Sequence, residues 1–452
     1  MRRRFAAVRM TFALAALLCA AGSLHAEDKV RDAFRAAKPK IQTRLHKKLI
    51  EDRVEAMQDL KRFPTVDAVK FVMVTLSREK AIEVHEAAYE TLLEFKDDPE
   101  ICDYLLATVT KDSTRRNGLD TTPMLLAVLL GSDLTEVETD VLSLLENLAA
   151  SPDGLYAAER LVDGLGEHAQ ADDAARLKKL LKLKAYDREF GFRRAMAAAA
   201  GKIEDPAGVD VLISMITAKT PLNGEVAADV VQCLTDVTSQ KIGADSEAWG
   251  RWWEANKKTF KYPLGVKRSE TRTVARQGSS EYYGMSLYAQ RLLFVIDTSG
   301  SMAGQRLMAA KRELIQTIDG LSPDVQFNII AFNSHVNIWS RRLVKGERNM
   351  KEAAQKWILA LDPNTSTATY DALETALEND AEAIYLLTDG APHGGKIDSP
   401  SDIVAAVGRL NRSKRMSIYT IGIGVGAAGQ GFDLFLETLA KQNYGSYRRV
   451  DQ

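Results

Sequence analysis

Apolar positions along this chain follow two periods, and the change falls near residue 290. From about 47 to 260 the spacing is helical. Val226, Val230, Leu234 and Val237 recur at i, i+4, i+8 and i+11, which is one face of a helix. Ala88, Leu92 and Phe95 repeat the pattern, and Ile41, Leu45 and Leu49 in the basic segment 27–60 are spaced by four. Strand-type alternation is absent between 47 and 260. The breaks share one chemistry: Phe63-Pro64-Thr65, Asp97-Asp98-Pro99, Ser151-Pro152-Asp153 and Asp205-Pro206-Ala207. Proline is tolerated at the first helical position, and a neighbouring Asp or Ser caps the exposed amides. Helix, short turn and capped helix, loosely repeated, predict a stacked helical array over 27–260.

This segment resembles HEAT repeats, most clearly around Ala197–Ile216 and Glu225–Val237. The Pro-to-Pro intervals are irregular, so the repeat is degenerate. The array ends on Trp249, Trp252 and Trp253, at i, i+3 and i+4 on one helix face. They read as a lid over the last repeat, with an aromatic ligand platform as the alternative. Residues 261–290 carry Lys261, Lys267, Arg268, Arg272, Arg276 and a Gly278-Ser279-Ser280 break, which suits a solvated linker.

From Arg291 the pattern changes. Leu292–Ile296, Val325–Phe332, Ala383–Leu387 and Ser417–Ile421 are short, mostly apolar runs, as expected of strands covered on both faces. Val336–Ser340 alternates and suits an edge strand joined through a hairpin at Asn333-Ser334-His335. Arg306–Leu321, Met350–Leu361, Tyr370–Glu378, Ser401–Asn411 and Phe432–Lys441 supply helices. Strands alternating with helices imply a doubly wound, Rossmann-like α/β domain over 291–452.

Composition adds little about partners but something about compartment. The chain has 452 residues, enough for several domains, and a net charge of -1, so no global charge draws it to nucleic acid. Arg2, Arg3, Arg4 and Arg9 precede an apolar stretch, Met10 to Gly22, shorter than the ~20 residues of a membrane span. Ser23-Leu24-His25-Ala26 then ends in a small residue. Residues 1–26 therefore read as a signal peptide, with a retained anchor as the alternative. The expected location is periplasmic or extracellular, with no membrane span after removal of the signal. Beyond it, Cys102 and Cys233 lie in apolar helical patterns and read as free buried thiols.

The chemistry concentrates where strands should end. Phe294-Val295-Ile296 stops at Asp297, and Ser299 and Ser301 follow at a spacing of two. The run Tyr385-Leu386-Leu387 ends on Thr388-Asp389-Gly390. Between them, the hydroxyl-rich loop 364–369 opens a helix at Tyr370-Asp371. In an open parallel sheet, ligands bind at the carboxyl ends of strands. Two carboxylates neutralise a divalent ion, and hydroxyls fill its shell without adding charge. Magnesium, which wants about six oxygens, is the expected ion, with manganese or calcium as alternatives.

Residues 291–450 resemble the von Willebrand factor type A domain. Asp297-Thr298-Ser299-Gly300-Ser301 matches that family's D-x-S-x-S element, Thr367 stands where its threonine stands, three residues before Tyr370-Asp371, and Asp389 matches its second aspartate. The resemblance implies a metal-ion-dependent adhesion site of Asp297, Ser299, Ser301, Thr367 and Asp389. It implies a protein partner whose Asp or Glu completes the metal shell, with no catalysis. It also implies that the helix Phe432–Lys441 can shift with occupancy. One departure stands out: the family places glycines before its threonine, whereas this chain has Thr365-Ser366, so Thr365 or Thr369 is an alternative donor.

Other motifs are weaker. Gly424-Val425-Gly426-Ala427-Ala428-Gly429 spells a dinucleotide fingerprint, but it lies in the last βαβ unit before a basic strand with Arg448 and Arg449. His393 could serve Ser299 as a base, yet no Gly-x-Ser-x-Gly elbow surrounds that serine. Asn364 and Asn411 sit in glycosylation sequons, read as chance matches. The resulting expectation is an exported binding protein whose helical repeats form a second protein-binding surface. A metal-dependent hydrolase using His393, and a helical scaffold with a vestigial metal site, are the competing readings.

Overall fold

The computed structural model describes residues 27–113, 121–150, 154–218, 222–267, 269, 280–424 and 431–450. The signal segment 1–26, the Ser151-Pro152-Asp153 break, most of the basic stretch 268–279 and residues 425–429 of the glycine-rich motif lie outside them. The chain is multidomain, with an all-helical N-terminal region and a C-terminal α/β sheet domain. Its contacts separate two compact units, Met1–His168 and Ala169–Gln452. Among the described residues, no helix is long and apolar enough to cross a membrane.

The first unit is helical throughout its described residues. One of its helix starts, Asp98 with Pro99, follows the anticipated chemistry, and one departs from it, with Thr65 as the cap and Pro64 before it. Thr65 accepts a hydrogen bond from the Ala68 amide at 3.2 Å and opens Val66–Leu76. Asp98 accepts one from the Ile101 amide at 3.0 Å and opens Pro99–Ser113. Thr122–Leu130 is apolar all round and buried from Leu125 to Leu130. It packs against Leu155–His168, and a Cβ at Gly164 would stand 2.7 Å from Leu126 Cβ, so the close approach needs glycine.

The second unit begins with helices, among them Phe190–Lys202, Pro206–Ile216, Gly224–Thr238 and Ser246–Asn256. Asp205 caps Pro206–Ile216 through the Ala207 amide at 2.8 Å, with Pro206 at the first helical position. Val226, Val230, Leu234 and Val237 are all buried, as their spacing predicts. Trp249 and Trp253 are buried too. The Trp249 indole donates to Gly243 O at 2.8 Å and that of Trp253 to Asp210 at 2.5 Å. These rings pack into the helices, so the platform alternative fails. Cys102 is a buried free thiol, whereas Cys233 is only half-buried.

The sheet follows. Its strands are β3 (Arg291–Asp297), β4 (Gln326–Phe332), β5 (Val336–Ile338), β6 (Val344–Lys345), β7 (Ala383–Thr388), β8 (Ser417–Ile423) and β9 (Tyr447–Val450), in the order β5-β4-β3-β7-β8-β9 with β6 also on β4. The pairs β3–β4, β3–β7, β7–β8 and β8–β9 are parallel, while β5 and β6 run antiparallel to β4. Side chains alternate across the pleat. Leu292, Phe294 and Ile296 face a core closed by α1 (Gln305–Asp319) and α2 (Arg348–Leu359). Leu293 and Val295 face the opposite core, closed by α3 (Thr369–Leu377), α4 (Pro400–Asn411) and α5 (Phe432–Lys441). Residues buried on both faces explain why these strands read as unbroken apolar runs.

A short hairpin within 261–290 escaped the sequence pattern. β1 (Glu281–Tyr282) and β2 (Met285–Ser286) pair across Tyr283 and Gly284, both at positive φ (51° and 72°). Such turns match strand twist. The hairpin buries Tyr282 edge-on against Phe294 and Tyr385, with ring centroids 5.2 and 6.2 Å away.

Candidate metal centre

β3 is central, with β4 on one side and β7 on the other, so its carboxyl end is where the chain's winding reverses direction. Such a switch point leaves a crevice. Asp297 is the last residue of β3 and is fully buried. The Ser299 amide donates to its Oδ1 at 2.7 Å, and the Thr388 hydroxyl donates to its Oδ2 at 2.5 Å. Burial pushes the Asp297 carboxyl up to about 6, outweighing those hydrogen bonds, which pull it down, and nearby Asp389 raises it further.

The next three donors converge from two segments. Ser299 Oγ and Ser301 Oγ lie 3.1 Å apart, and Ser301 Oγ donates to Asp389 Oδ1 at 2.7 Å. Ser301 is exposed while Ser299 is buried, so the group has a dry floor and an open rim. Asp389 Oδ2 accepts a 2.7 Å hydrogen bond from Arg306 Nη1. Neither Thr388 nor Arg306 was anticipated as part of this site. Thr388 adjoins Asp389 in sequence, but nothing local shows that its hydroxyl turns to Asp297.

Thr367 lies on a loop that backbone ties anchor next to the end of β3. The Asn364 amide donates to Thr298 O at 2.9 Å, and the Ala368 amide to Asn333 O at 2.9 Å. Asn333 Nδ2 in turn reaches Thr298 Oγ1 at 3.1 Å. Thr367 and His393 exchange both backbone bonds, at 2.8 and 3.0 Å. Of the alternative donors, Thr369 is buried with its hydroxyl on Thr367 O at 3.4 Å, and Thr365 is exposed. Ser366 sits at φ 69°, a left-handed conformation that costs little for glycine and more for serine. Its hydroxyl donates to His393 O at 2.6 Å, which ties the loop down where the backbone alone favours glycine.

The donors fit a hard divalent cation. Two carboxylates and several hydroxyls meet at one strand end, and the partners of the buried Asp297 are neutral donors. Among the described residues, no three His, Cys, Asp or Glu side chains gather as a metal-binding group, which sets this hydroxyl-rich arrangement apart from a zinc-type site. His393 is exposed, and Ser299 Oγ pairs with Ser301, so no serine–histidine arrangement forms here. Asn364 is exposed, but Asn411 is buried, with its amide on Met416 O and Asn443, a setting that excludes a glycan.

Residues 292–450 match the family model of the von Willebrand factor type A domain. Over 185 residues the chain is 31% identical to human inter-alpha-trypsin inhibitor heavy chain H4, covering 37% of this chain and 19% of that protein. Over 148 residues it is 34% identical to human von Willebrand factor A domain-containing protein 3B, covering 32% of this chain and 11% of that protein. The chain thus spans a fifth or less of the length of these curated relatives. Among solved structures it is similar to a von Willebrand factor type A protein from Catenulispora acidiphila (22% identity, TM-score 0.32, 37% of this chain and 40% of that one). It is also similar to the pilus adhesin SpaC from Lactobacillus rhamnosus GG (15% identity, TM-score 0.30, 36% and 28%).

Proposed function

We propose that this chain is a non-enzymatic, exported binding protein whose C-terminal domain captures a carboxylate of a protein partner through a divalent ion. The ion is held by Asp297, Ser299, Ser301, Thr367 and Asp389. The observation that carries the reading is the meeting of two buried carboxylates and two serine hydroxyls at the carboxyl end of β3, beneath an exposed rim. The match of residues 292–450 to the von Willebrand factor type A model supports it. When bound, the ion supplies a positive centre for an acidic side chain. Thr388 and the Ser299 amide orient Asp297, and Ser301 orients Asp389.

Magnesium suits the set best, because two carboxylates leave the remaining positions to hydroxyls and water. In the same proposal residues 1–26 are a signal peptide that directs the chain to the periplasm or beyond. Residues 27–260 form HEAT-like repeats that offer a second protein surface. Residues 261–290 link them to the domain at 291–452.

Calorimetry with magnesium, paired with capture from envelope or extracellular material with and without chelator, tests this. Wild type is expected to bind magnesium and to lose its partner in chelator. Asp297→Ala should lose both while keeping its helical and sheet signals in circular dichroism. Undiminished partner capture in chelator and by Asp297→Ala would reject the reading.

A further inference from the structure

Arg306 stands at the second position of α1. A cation there opposes the helix dipole, whose N-terminal end is positive. The helix does not explain its placement, but Asp389 does. Arg306 Nη1 lies 2.7 Å from Asp389 Oδ2, and the Asp389 side chain is completely shielded from solvent while that of Arg306 is 37% exposed. Arg306 Nη1 also lies 3.4 Å from Ser301 O. Gly304, at φ 84°, turns the chain between the Ser301 loop and α1. On the far side, a Cβ at Gly424 would stand 3.2 Å from Arg306 Nη2, so the end of β8 lies close against the guanidinium.

Both oxygens of Asp389 are therefore engaged, Oδ1 by the Ser301 hydroxyl and Oδ2 by the guanidinium. We propose that Arg306 sets the cation affinity of the site by competing for Asp389, which makes binding weaker than the oxygen donors alone would allow. This rests on the metal-binding reading above. A divalent ion and a guanidinium draw on the same negative charge. If Arg306 stays, it repels the ion. If it yields Oδ2, the ion pair is lost. Either course reduces affinity, and the buried setting of Asp389 makes the competition stronger than at an exposed pair.

The test is magnesium titration by calorimetry of wild type, Arg306→Gln, Arg306→Met and Arg306→Lys. Both neutral variants should bind about tenfold tighter, the order of one lost charge interaction in a partly shielded site. Arg306→Lys, which keeps the charge, should stay nearer wild type than either. Thermal melting supplies an independent readout. Without metal the neutral variants should melt lower, because a buried carboxylate has lost its counter-charge, and magnesium should raise their melting temperature more than it raises that of wild type. If wild type binds magnesium and neither folded neutral variant tightens, the role of Arg306 is wrong while the metal site stands. If none of the four binds magnesium, both readings fall. Binding by the neutral variants alone would uphold the role of Arg306 and overturn the reading that the wild-type chain captures a partner through the ion.

Discussion

The two ends of the central sheet both bury carboxylates, yet they treat them differently. At the amino end, Glu225 from the helix Gly224–Thr238 is fully buried against β8. Ser417 Oγ donates to it at 2.8 Å and Tyr419 Oη at 2.9 Å, while Arg194 stands 4.0 Å away and pairs with Asp229 at 2.9 Å. Arg194 also donates to Arg415 O at 2.7 Å. Beside it, Glu382 accepts the Gln290 amide at 3.1 Å and sits 3.9 Å from Arg291. A Cβ at Gly224 would stand 2.1 Å from Glu382 Oε2, and Gly224 has φ 64°, so only glycine suits this approach. Helices close over that end. At the carboxyl end, Asp297 and Asp389 are just as buried, but Ser301 and His393 leave the rim exposed. Carboxylates covered by the protein's own chain serve packing. Similar groups left with an open side are available to a ligand.

Substitutions can separate the two ends. The largest effect is expected from Arg194→Met at the covered end. Removing the cation from a buried charge cluster costs about 3 kcal/mol or more. Urea denaturation should show that loss, and magnesium affinity of the folded variant should be unchanged. If both fall together, the ends are coupled and the contrast fails.

Thr388→Val acts at the open end. It removes the donor that orients Asp297, and loss of such an outer partner weakens metal binding by about tenfold. Calorimetry would read it, and stability should fall by only about 1.5 kcal/mol, the lower end for a hydrogen bond to a carboxylate. A stability loss as large as that of Arg194→Met would show that the carboxyl end is structural as well.

The smallest effect is a pH dependence. Burial, the dominant cause, raises the Glu382 carboxyl above the usual range, against the pull of the Gln290 amide and Arg291. The folded chain then holds a proton that the unfolded chain releases. The stability this lends is complete below the ordinary glutamate value and is lost as pH rises through the folded one. Glu382→Gln stays neutral throughout, so its stability should change less than that of wild type between acid and neutral pH. Parallel pH profiles for the two would show that Glu382 keeps its charge in the fold.

Much of the architecture was legible because its causes are local. The apolar runs placed β3, β4, β7 and β8 to within a residue or two, and Phe432–Lys441 matched its expected bounds. Asp98 with Pro99, and Asp205 with Pro206, opened helices as their types require. The hairpin at 281–286 was missed because its strands are two residues long, too short to show a period. The Thr65 break showed a smaller deviation, with threonine as the cap and Pro64 before it.

The donor residue types at the candidate site, and the strand ends that carry them, were in the sequence, because the apolar runs before Asp297 and Asp389 mark where buried strands end. What only the tertiary structure decided is which groups hold them. Arg306 and Asp389 are 83 residues apart, Thr388 and Asp297 are 91 apart, and Ser417 and Glu225 are 192 apart. Periodicity registers the face a residue presents, not the distant side chain that will meet it. Those meetings depend on strand order and on which end of the sheet the helices cover, and both are settled by packing the whole unit.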